Sequence, residues 1–111
     1  MDPDRRSQWL RGVLDLCVLG LLADGESYGY ELAQALTRAG LGPIQGGTLY
    51  PVLLRLERTG LVATDWRAGE AGPARKYYRL TPAGEQTLRA AASDWRGFAG
   101  QVGTVLETAV K

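Results

Sequence analysis

At 111 residues the chain holds one ordinary domain and a single modest core. Histidine is absent, cysteine occurs once, and the carboxylates are scattered with no phosphate loop beside them. This removes the usual carriers of general-base catalysis, zinc binding and disulfide formation, and it argues against an enzyme, a metal or a cofactor. The net charge is only +1, so attraction to a polyanion has to come from cations placed locally.

From about Arg5 to Leu22, Trp9, Val13, Leu16, Leu19 and Leu22 recur at helical spacing, while Leu10, Leu14, Val18 and Leu21 widen the stripe. The segment reads as one helix buried on more than one side. Cys17 lies inside this run and reads as a small reduced hydrophobe. Asp15 interrupts the run, which is too short to span a bilayer, and the acidic start Met1-Asp2-Pro3-Asp4 lacks the basic region of a signal peptide. A cytoplasmic protein without membrane association is expected.

After Asp24-Gly25-Glu26, Ser27 is placed to cap a second helix carrying Tyr28, Leu32, Ala35 and Leu36, which Gly40 stops. Glu31 stands one position too late for a capping box. A loop over residues 41 to 47 leads to a third helix, with Thr48 as its expected cap and Pro51 in its first turn, where the missing N–H has no intrahelical partner to lose. Projected at about 100° per residue, Leu49, Leu53, Leu56 and Gly60 face one way with Val52 beside them, while Pro51, Leu54, Arg55 and Arg58 face the other. Tyr50 falls at the flank, where it can brace the helix.

Val62, Thr64 and Trp66 then alternate with Ala63, Asp65 and Arg67, and Lys76, Tyr78 and Leu80 with Arg75, Tyr77 and Arg79. This is a β-hairpin turned at Gly69, Gly72 and Pro73. Residues 67 to 79 hold Arg67, Arg75, Lys76 and Arg79 against Glu70, a local charge of +3. A helix that can enter a major groove, followed by a basic hairpin that can track the backbone, is the order of parts in a winged helix-turn-helix. Thr81-Pro82 caps and starts a last helix running to about Ala109. Leu88, Ala92, Trp95, Ala99, Val102, Leu106 and Ala109 form a coiled-coil seam along it, flanked by Ala91, Phe98 and Val105. Gly97, Gly100 and Gly103 each weaken this helix by about 1 kcal/mol relative to Ala, so it needs a partner, for which a two-fold dimer is the usual solution.

Four segments in this order resemble the PadR family of bacterial transcriptional regulators, in particular its smaller members with a single C-terminal dimerisation helix. They are Ser27-Tyr28-Gly29-Tyr30-Glu31-Leu32, Gly47-Thr48-Leu49-Tyr50-Pro51 with Arg55-Leu56-Glu57, Arg75-Lys76-Tyr77-Tyr78-Arg79-Leu80-Thr81, and Gly84. The resemblance implies a mainly α fold with a small β-hairpin: a winged helix-turn-helix over residues 1–81, whose first helix also joins the dimer, and a long dimerisation helix over 82–111. It further implies a homodimer that represses promoters by binding a double-stranded DNA operator and leaves it when a small effector binds. On that pattern Thr48, Tyr50, Pro51 and Arg55 approach the major groove, Arg75 and Lys76 hold phosphates, and the helix bearing Tyr28 and Tyr30 adds backbone contacts. Trp95 matches a tryptophan that stacks planar aromatic ligands at the dimer centre in multidrug-sensing relatives. Trp9 of the first helix can line the same region, and Asp15 and Asp94 are the candidate carboxylates for a cationic ligand, Ala99 supplying none. Two alternatives stay open at this point: Trp95 as packing in the dimer seam, and the whole chain as a winged-helix interaction or dimerisation module that does not read DNA.

Overall fold

The apolar pattern at the start of the chain closes into two helices instead of the single one expected. In the computed structural model, which describes residues 1–109, α1 spans Pro3–Leu10 and α2 spans Leu14–Leu22; residues 110 and 111 of the expected segment 82–111 lie outside the described residues. The break falls at Gly12, a poor helix former, where Gly12 and Val13 donate to the carbonyls of Trp9 and Leu10 three residues back. The stripe read from the sequence is too wide for one straight helix. A bend between Leu10 and Leu14 lets both reach the core.

Ser27 does not cap a helix. It pairs with Tyr78 in the two-residue strand β1 (Ser27–Tyr28), and its hydroxyl donates to Glu31 Oε1 at 2.6 Å. Helix α3 (Gly29–Arg38) therefore begins one residue later than a Ser27 cap would dictate, with Tyr28 at its N-cap. Helix α4 (Gly46–Arg58) begins two residues before Thr48, with Gln45 at the N-cap and its carbonyl accepting from the Thr48 and Leu49 amides. Thr48 is thus the third residue of α4, and Pro51 is the sixth, inside the helix and not in its first turn. Because proline carries no N–H, the Gly47 carbonyl loses its donor four residues on.

β2 (Val62–Arg67) and β3 (Arg75–Leu80) form the expected hairpin, and β1 adds to its other side in an antiparallel sheet of order β1-β3-β2. The third strand is too short for any alternation to announce it. Helix α5 (Pro82–Ala109) starts as read: Pro82 is its first residue and Thr81 Oγ1 accepts from the Gly84 amide at 3.0 Å.

The core joins Leu10, Leu14, Val18, Leu19, Leu22, Leu32, Leu36, Leu49, Val52, Leu53, Leu56, Val62 and Tyr78. Burying one such leucine contributes about 1.5–3 kcal/mol. Cys17 packs against this cluster, and burial pushes its thiol up, so it stays protonated. Gly84 is where α5 meets the body: a Cβ built there would collide with the Leu61 carbonyl, so only glycine permits the approach. Beyond that contact Leu88 packs on the core, while from Trp95 onward the large apolar side chains of α5 are exposed.

Candidate nucleic-acid interface

The buried stripe of α4, Leu49, Val52, Leu53 and Leu56, fixes which side of that helix remains outside. Opposite it, at about 100° per residue, runs the line Gly47, Pro51, Leu54 and Arg58, all exposed. The two flanks are each tied to the body by ion pairs. On one, Arg55 makes a forked contact with Asp15 of α2, Nη2 to Oδ1 at 2.7 Å and Nε to Oδ2 at 3.1 Å. On the other, Glu57 accepts from Lys76 Nζ at 2.8 Å and from Thr64 Oγ1 at 2.9 Å. These bonds hold the Glu57 carboxyl below its ordinary range and raise the Lys76 ammonium. Helix α4 is thereby held between α2 and the hairpin by groups distant in sequence.

Between α4, the start of α3 and the hairpin lies a groove of about 560 Å³. Tyr28, Tyr30, Tyr50, Arg75 and Lys76 all border it, as do Leu54 and Trp66. Of the eight residues expected to approach DNA, five thus share one groove, Pro51 lies on the exposed line of α4, and Thr48 and Arg55 lie on the helix's opposite flank, Thr48 exposed and Arg55 bound to Asp15. Tyr28 belongs to β1 and not to the helix, where its ring meets Tyr77 edge-on at 5.3 Å and carries the Arg75 guanidinium at 4.5 Å. Tyr50 lies over Gly29: a Cβ there would sit 2.6 Å from the Tyr50 hydroxyl, so a larger residue would displace the phenol ring from this place.

The local charge of +3 counted along the hairpin is largely answered in space. Arg67 pairs with Glu26 and Asp65, Arg79 with Asp65 at 3.4 Å, and Lys76 with Glu57. Hydrogen bonding from Arg67 lowers the Glu26 carboxyl and raises the Arg67 guanidinium in turn. Among the described residues Arg75 and Arg58 have no carboxylate within ion-pair distance, so they are the cations of this face free to meet an anion. Sequence reasoning missed two features here. Trp66 was read only as part of the β2 alternation and not as a site residue, yet it borders the groove and is 68 % exposed. The neutralising carboxylates Glu26 and Glu57 lie outside the counted segment.

A second groove opens on the other side of α4, lined by Asp15, Leu19 and Arg55 with Asp94, Trp95 and Phe98 of α5. It brings Asp15 and Trp95 together; Trp9, 60 % exposed on α1, does not line it. No helix among the described residues is long and apolar enough to cross a membrane.

A helix exposed along one line, a helix packed across its start and a hairpin folded beside both make a winged helix-turn-helix, the fold of a class of DNA-binding regulators. The chain belongs to the Transcriptional regulator PadR-like family, whose pattern residues 18–90 match, and is thus a transcriptional regulator and not an enzyme. It is 42 % identical over 81 residues to the transcriptional regulator Rv3488 of Mycobacterium tuberculosis, covering 73 % of this chain and 74 % of that one. A PadR family transcriptional regulator of Eggerthella lenta superposes with a TM-score of 0.81 at 40 % identity, over 91 % of this chain and 88 % of the other. A PadR-like regulator of Bacillus cereus gives 0.78 at 35 % identity, over 89 % and 96 %.

Proposed function

We propose that the chain is a homodimeric repressor that grips duplex DNA with the α4 and hairpin face and leaves it when a planar small molecule binds beside Trp95. The observation that carries the DNA reading is the convergence of the exposed α4 line, Tyr30 at the start of α3 and the unpaired Arg75 on one side of the molecule. The groove between them has the phenol hydroxyls and cations that a phosphate strand needs, and α4 beside it is free to enter the major groove. For the dimer, the support is the apolar row Trp95, Phe98, Val102, Val105 and Leu106 along α5, exposed in the single chain. For the effector, it is the meeting of Trp95 and Phe98 with Asp94 in one groove, where Asp15 is already answered by Arg55, so that the aromatic faces and one carboxylate unpaired among the described residues are what a flat cation would meet.

An electrophoretic shift on DNA upstream of the protein's own gene tests the first reading. Binding should weaken steeply as salt rises from about 50 to 200 mM, and salt-independent binding would contradict a phosphate-dominated contact. For the effector, a planar cationic dye should quench tryptophan fluorescence in the native chain and not in Trp95→Ala, with DNA binding retained. Loss of the dimer in that variant would assign Trp95 to packing instead.

A further inference from the structure

We infer that Pro51 and Leu54 read thymine methyl groups in the major groove of each operator half-site, an assignment that rests on the DNA-binding reading above. The exposed line of α4 is apolar over most of its length. Through its first three positions, Gly47, Pro51 and Leu54, it offers no side-chain donor or acceptor, and the first cation, Arg58, comes only at the helix end. Of the hydrogen-bonding side chains on its flanks, Arg55 is engaged with Asp15, and Glu57 with Lys76 and Thr64, while the hydroxyls of Thr48 and Tyr50 stand to either side of the line and not on it.

Leu54 is 44 % exposed while Leu49, Leu53 and Leu56 of the same helix are buried, so it is available to a partner. In the major groove the four base-pair orientations differ in their donors and acceptors and in one apolar group, the C5 methyl of thymine. An apolar helix face pressed onto polar base edges would strip them of water and give nothing back. The same face pressed onto methyl groups gains by burial. Free Arg58 and Arg75 on the same side supply the charge that holds the helix there.

The test uses the full chain and duplexes it enriches from a randomised library, with affinities measured by fluorescence anisotropy. Thymines should appear in each enriched half-site, and replacing them with deoxyuridine, which removes only the methyl, should weaken binding about fourfold for each methyl that is contacted. In Leu54→Ala the difference between thymine and deoxyuridine should vanish at one position; because Leu54 is exposed, this variant should melt like the native protein. Enriched duplexes that bind equally with thymine or deoxyuridine would overturn the assignment and leave DNA binding intact. No enrichment at all would overturn the DNA reading and this assignment with it.

Discussion

The body made by α1 to α4 and the sheet buries a continuous apolar core and leaves a few apolar side chains such as Trp9, Leu54 and Trp66 outside, whereas α5 buries only Gly84 and holds Trp95, Phe98, Val102, Val105 and Leu106 in the open. Both regions carry apolar residues at helical spacing. Their fates differ because the body has several elements to close around a stripe, and α5 packs chiefly along α2 within its own chain. The contrast separates what one chain can stabilise alone from what calls for a second copy.

The contrast can be broken from either side. Leu53→Ala opens a cavity at the centre of the body and should cost about 2–5 kcal/mol in urea unfolding, whatever the protein concentration. Replacing Val102 and Leu106 together with Asp should leave the body's fold intact by circular dichroism but remove any concentration dependence of melting. The same variant should bind a two-half-site operator about a hundredfold or more weakly, since the two heads are no longer linked. If sedimentation gave the same mass for this variant and the native chain, the α5 row would not be the dimer contact.

Within the reading face, Arg75→Ala should flatten the slope of log affinity against log salt by about one. Lys76→Ala should change it less, because its ammonium already answers Glu57. The smallest effect concerns pH. The Glu57 carboxyl is held below its ordinary value by Lys76 and Thr64, so its contribution to holding α4 on the hairpin is present above the usual carboxylate pKa of about 4.3 and lost as pH falls through the lower, folded value. Thermal melts across that acidic range should show a decline that is shallower in Glu57→Gln.

Much of this was legible in the sequence because it rested on local rules. The Thr81-Pro82 start of α5, the hairpin and the packing stripe of α4 all follow from caps and periodicity within a few residues. Where a distant residue competed, the local rule lost. Ser27 was drawn into a strand by Tyr78 and its hydroxyl taken by Glu31. The expected cap at Thr48 gave way because Gly46 and Gly47 continue the helix backwards to Gln45. The charges were the least legible part: Arg55 finds Asp15 forty residues away, and Arg67 finds Glu26 across forty-one. No pattern along the chain foretells such pairs, and they decide which cations remain free.

Hydroxyl-radical footprinting of the native chain on an enriched duplex tests most directly the claim that two heads read DNA through α4 and α5 joins them. Two protected patches are expected on one face of the duplex, related by a two-fold axis and spaced by about 34–36 Å or a multiple of it. A single patch of one half-site, bound by a monomer, would contradict it.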